Sequence, residues 1–167
     1  MKKIIIPALL SAIMLLSACG GNADTTTANG GNASDVAAVT ASPADITSAV
    51  IAEVPVSSGV AKTKNDVADY YDVDASTLAD ASFYICGSGA YPDELAVLQF
   101  NDAAGAEAGK TALQARLDSQ IELYTTYTPD EMYKLEGAKV FTSGNYAVYI
   151  ALSDNDKANE IVKGYLG

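Results

Sequence analysis

Leu95-Ala96-Val97-Leu98-Gln99-Phe100, then Asn101-Asp102 and a run reaching about residue 125, is the stretch that decides the fold. The hexapeptide is apolar at nearly every position, as expected of a strand that is central in a sheet or covered on both faces. Asn101-Asp102 supplies an N-cap. Leu113, Leu117, Ile121 and Tyr124 then recur at spacings of four, four and three, the buried stripe of a long helix. Gly105 and Gly109 weaken its first turns.

Working outward, residues 81–86 read as a strand closed by Gly87-Ser88-Gly89, residues 65–71 as a helical turn or two, and residues 56–64 as loop. Ser42-Pro43-Ala44-Asp45 is a capping box with proline at the first helical position. Ile46, Val50, Ile51 and Val54 follow on one helical face, and Pro55 ends it. Downstream, Thr128-Pro129-Asp130-Glu131 reads as a second capping box, opening a short helix that Gly137 closes. Residues 139–142 and 146–152 read as strands around the tight turn Ser143-Gly144-Asn145. A last helix starts at Ser153-Asp154-Asn155-Asp156 and buries Ala158, Ile161, Val162, Tyr165 and Leu166. These elements predict one α+β domain over residues 42–167, with an antiparallel sheet of about four strands in two hairpins and helices packed on one face.

The start of the chain has a different character. Met1-Lys2-Lys3 is positive, and residues 4–16 are apolar but for Pro7 and Ser11. Thirteen helical residues span about 20 Å, short of the roughly 30 Å of a hydrocarbon core, which is signal-peptide length. Leu16-Ser17-Ala18-Cys19 resembles the lipobox of bacterial prolipoproteins. That resemblance implies cleavage after residue 18, a diacylglycerol on Cys19, and a membrane partner reached through that lipid. Two acyl chains are enough for stable attachment, here to the extracytoplasmic face of the cell membrane. Residues 20–41 are small and polar, a linker with an r.m.s. reach of about 25 Å.

Composition narrows function by exclusion. The 167 residues carry 21 acidic and 10 basic side chains, a net charge of −11. Loss of residues 1–18 removes two lysines and leaves −13. A nucleic-acid partner is not expected, because such binding needs clustered Lys and Arg. With no histidine in the chain, Ser-His-Asp triads, Cys-His dyads and imidazole metal sites are excluded.

Few residues remain to carry chemistry. Cys86 is the one thiol besides Cys19; no basic residue lies within twenty positions of it in sequence, and a buried, inert thiol is expected. Asp72-Val73-Asp74 opens like a calcium loop, but Thr77 stands where glycine is needed and Phe83 where glutamate is needed. Asp154-Asn155-Asp156 fits helix capping better. No metal or cofactor is therefore expected. Asp93-Glu94 could be the acid and base of a small glycan hydrolase, but neighbours on a strand point to opposite faces, and the plain alternative is a solvated turn. Arg116 could pair with an anionic ligand or partner carboxylate; alternatively it packs its stem on the core and ties its helix to the sheet.

Ten of the thirteen aromatic residues are tyrosine, a side chain suited to half-wet recognition surfaces. On the strand over residues 146–152, Tyr149 points away from Tyr146, Val148 and Ile150. Tyr149 and Tyr84 are thus placed on an open sheet face, a candidate binding surface shared with Asp93, Glu94 and Arg116; the alternative is a small core rimmed by tyrosine.

The stretch from about residue 42 to 165 resembles a family of bacterial lipoproteins known as domain of unknown function 4358. The resemblance rests on Pro92-Asp93-Glu94-Leu95-Ala96, on Arg116 and Gln120, on Tyr127-Thr128-Pro129 with Glu131, and on Gly144-Asn145-Tyr146. It implies a lipid-anchored extracytoplasmic protein, mostly of Gram-positive type, and brings no activity, ligand or catalytic residue. The expectation is a non-enzymatic binding or accessory module for a membrane protein or wall component, with a carboxylate-based glycan hydrolase as the alternative.

Overall fold

The computed structural model describes residues 41–167. The leader, the lipobox with Cys19, and the expected linker up to residue 40 lie outside the described residues. In chain order the elements are α1 (Pro43–Glu53), β1 (Gly59–Thr63), α2 (Val67–Tyr71), β2 (Leu78–Cys86), β3 (Glu94–Phe100), α3 (Ala103–Tyr127), α4 (Met132–Glu136), β4 (Lys139–Ser143), β5 (Tyr146–Ala151) and α5 (Asn155–Leu166). The sheet runs β1-β2-β3-β5-β4 with every pairing antiparallel. This is the α+β class that the sequence predicts, built on the two hairpins β2–β3 and β4–β5.

The strand count is five rather than about four. β1 forms within the residues expected to be loop, pairing Gly59 with Cys86 through to Thr63 with Ser82. It is a short edge strand with four of its five residues exposed. Its structure comes from a partner 19 to 27 residues away, so its own side chains give no periodic signal.

Helices cover both faces of the sheet, not one. On one face, Ile46 and Val50 of α1, Val54 just after it, and Ala158, Val162 and Leu166 of α5 pack with Leu95, Val97, Tyr146, Val148 and Ile150. On the other, Leu113, Leu117 and Tyr124 of α3, Tyr71 of α2 and Leu135 of α4 pack with Phe83, Ala96, Leu98, Phe100 and Tyr149. Both alternations of β3 are apolar, and burying each large side chain is worth roughly 1.5–3 kcal/mol. An uncovered face would forfeit several such terms, so two helical layers are required. The all-apolar run at residues 95–100 already permits this reading.

Local signals set most boundaries. The Ser42 hydroxyl accepts the Asp45 N–H and donates to its carboxylate, capping α1. Asp102 and Asp154 cap α3 and α5 through the N–H groups of Gly105 and Lys157. The second capping box does not form, because the Thr128 hydroxyl is buried without capping α4, which starts instead from a single 3-10 turn over Pro129–Glu131. Gly109 has a packing reason, since a Cβ there would run into the Phe100 ring. The helix thus crosses β3 at a distance only glycine allows.

Candidate binding site

The β2–β3 hairpin positions the polar residues. Its connection turns at Gly89, where φ is +66°, and closes with the Cys86 N–H donating to the Asp93 carbonyl. Asp93 and Glu94 therefore arrive together where β3 begins, under the C-terminal half of α3 and beside α4. Both are almost fully buried, at 2% and 1% exposure, so the solvated turn expected for them is not what forms.

Each carboxylate is claimed by a different cation. Asp93 accepts from Lys134 Nζ at 2.6 Å and from the Ser57 hydroxyl at 3.1 Å. Lys134 is itself buried and also bridges to Glu131 at 2.6 Å. Burial pulls the Lys134 ammonium down, but hydrogen bonds and charge from Asp93 and Glu131 outweigh it and hold the pKa above the usual lysine value. Glu94 accepts from Arg116 Nη2 at 2.8 Å and Nε at 3.2 Å, and from Gln120 Nε2 at 2.8 Å. Burial likewise lowers Arg116, and Glu94 more than compensates. The Gln120 carbonyl accepts the Tyr149 hydroxyl in turn. Arg116 thus ties α3 to β3, the second of the two roles open to it from sequence.

In this arrangement both carboxylates serve the fold, each tying β3 to a helix. Hydrolysis needs two carboxyls facing one bond with room for substrate between them. Here Asp93 and Glu94 turn to separate partners on α4 and α3. Among the described residues no group of three His, Cys, Asp or Glu is placed to hold a metal ion.

The tyrosine assignments change. Tyr149 is wholly buried between β5 and α3, and no open sheet face exists for it. Tyr84 lies on the opposite face, partly buried against the α1 and α5 layer. The register makes this plain, because Tyr84 stands opposite Leu95 and Tyr149 opposite Ala96.

Tyr165 of α5, expected on the inner face, is 41% exposed, and three other exposed tyrosines lie at the end of the domain by α4. Tyr91, Tyr127 and Tyr133 are 41%, 63% and 52% exposed, and Leu123 is 57% exposed one turn before Tyr127. They come from the β2–β3 connection, the last residue of α3, and α4. Lys134 Nζ sits 5.4 Å from the Tyr91 ring centroid and 5.8 Å from that of Tyr133. Tyr124 completes the link, its ring 6.2 Å from the Tyr127 ring and its hydroxyl donating to the Tyr91 carbonyl at 2.9 Å. Sequence reasoning counted these tyrosines without selecting them, and it passed over Lys134 altogether. The available signal was their position at element ends, where a large aromatic has little sheet or helix to pack against.

Beside this cluster lies a cleft of about 350 Å³, lined by Cys86, Gly87-Ser88-Gly89, Tyr91, Arg116 and Tyr124 among others. Burial pushes the Cys86 thiol up, but hydrogen bonds from the Ser88 hydroxyl and the backbone of residues 88, 90 and 91 bring its pKa below the ordinary thiol value. The lowering comes without any cation.

An antiparallel sheet between two helical layers, stitched at the start of β3 by one buried and one half-buried ion pair, is the type of domain these residues build. Residues 52–152 match the family described as Domain of unknown function (DUF4358), and the chain belongs to that family. The matched stretch contains the whole sheet, α2, α3 and α4, while nearly all of α1 and all of α5 lie outside it. No curated protein and no solved structure matches the chain. No helix among the described residues is long and apolar enough to cross a membrane.

Proposed function

We propose that this chain is a cell-surface lipoprotein, held to the membrane by a diacylated Cys19, whose folded domain is a non-enzymatic binding module for a membrane protein or wall component. One contrast carries the reading. The acidic groups that could do chemistry are sequestered in ion pairs, while three tyrosines from three elements stand exposed together at one end. Exposed aromatics grouped in this way are the composition of a recognition surface rather than of a free monomer face. The lipobox and the polar residues after it supply the anchor and the reach. Asp93 and Glu94 also line the cleft, but both are engaged by Lys134 and Arg116, which speaks against glycan hydrolysis there.

The test is site-specific photocrosslinking in living cells, with the photoreactive residue at Tyr127 or, as a control, at Asp45 of α1. Capture of one dominant partner from position 127 and not from 45 is the expected result. Equal, diffuse capture from both positions removes the binding reading. A Cys19→Ser chain is expected in the soluble fraction; if it still pellets with membranes, the anchor assignment is wrong.

A further inference from the structure

The charge around the exposed tyrosines is one-sided. From Glu122 to Tyr133 the chain holds Glu122, Asp130 and Glu131 and no cation. The connection from Gly87 to Pro92 holds no charged residue. Arg116 is balanced by Glu94, and Lys134 faces two carboxylates, Asp93 and Glu131. This end of the domain therefore carries a local excess of negative charge beside three exposed tyrosines, two of which already have Lys134 against the ring. The Lys134 ammonium, held by its two carboxylates, also lies 5.4 Å from the Tyr91 ring and 5.8 Å from the Tyr133 ring, so cation and aromatic face already coexist here. Aromatic faces beside carboxylates select cations, since the ring quadrupole and the carboxylate charge act in the same direction.

We propose that the surface formed by Tyr91, Tyr127 and Tyr133 docks a lysine- or arginine-rich segment of a polypeptide. The inference rests on the binding reading above and names its partner by chemistry. The alkyl stems of such side chains cover Leu123 and the ring edges, and their charged heads reach Glu122, Asp130 and Glu131. An anionic wall polymer is disfavoured at this surface by the same charges.

The test uses the full-length chain and a fluorescent synthetic Lys/Arg-rich peptide, with a Glu-substituted copy as control. Binding that weakens as salt rises, absent for the Glu copy, is expected. Tyr127→Ala/Tyr133→Ala should weaken it about tenfold, and Tyr127→Leu/Tyr133→Leu nearly as much, because leucine keeps apolar area but has no quadrupole. Asp45→Asn/Glu53→Gln, which removes as much negative charge as losing two patch carboxylates but on α1, should leave it unchanged. Equal weakening by the α1 variant, or full retention by the alanine variant, overturns the docking surface in favour of general charge attraction. No peptide binding, together with retained photocrosslinking at Tyr127, overturns the cationic partner and leaves the binding reading standing. Loss of both overturns both.

Discussion

Asp93 and Lys134, forty-one residues apart in the chain, meet at 2.6 Å with both side chains almost wholly withdrawn from water. The pair closes α4 onto the start of β3. Removing one member is costly because the other stays behind as a buried charge.

Lys134→Met leaves Asp93 and Glu131 facing each other without a counterion. A loss of about 3–5 kcal/mol is expected in urea unfolding. Asp93→Asn combined with Lys134→Met removes the stranded charge at Asp93 and should lose less than Lys134→Met alone. A Lys134→Met chain that unfolds at the wild-type midpoint would refute a structural role for the pair.

Gly109→Ala places a methyl group where the Phe100 ring sits. Overpacking of this kind costs about 1–3 kcal/mol, against a gain of roughly 1 kcal/mol in helix propensity. The net expectation is destabilisation, relieved when Phe100→Leu is added. Thermal melts of the single and double variants decide it; a stabilised Gly109→Ala chain contradicts the close crossing of α3 over β3.

Alkaline pH should unfold the domain through its buried phenols. Burial, and then the Glu94 carboxylate, hold Tyr71 and Tyr149 well above the ordinary tyrosine pKa. Folded chains keep these protons where unfolded chains have released them. Stability is therefore whole below about pH 10 and falls as pH rises beyond it. In a tyrosinate absorbance titration, part of the signal from the ten tyrosines should appear only as the circular dichroism collapses. Complete ionisation with the fold intact would contradict the burial.

Cys86 should alkylate with a pH midpoint below that of a free cysteine in the same buffer, though slowly, because the residue is 7% exposed. Ser88→Ala removes the hydroxyl 3.2 Å from the sulfur and should move the midpoint upward. An unchanged midpoint would show that Ser88 has no part in setting the thiol.

The helices and the two hairpins were legible because their signals are local. Ser42, Asp102 and Asp154 announce helix starts, and the stripe from Leu113 to Tyr124 announces a buried face. β1 was not, since its residues acquire a strand only by pairing with β2. The two-sided cover was half legible. Leu95 to Phe100 is apolar on both alternations, but the number of helices available for each face depends on where α1 and α5 return. The site was read at Arg116 and missed at Lys134, whose partner Asp93 is remote in sequence. Tyr149 was misplaced because an outward alternation was equated with solvent, when α3 lies there.

The Tyr146 hydroxyl donates to the Ala41 carbonyl at 2.9 Å, just before α1 begins. In mechanical terms this is where a pull from the upstream chain enters the fold. Behind that hydrogen bond stands α1, which lies against β2, β3 and α5. The α3 layer, with the partners of Asp93 and Glu94, is on the far side of the sheet. A tug that peels α1 loosens one layer of packing and leaves the opposite layer in place.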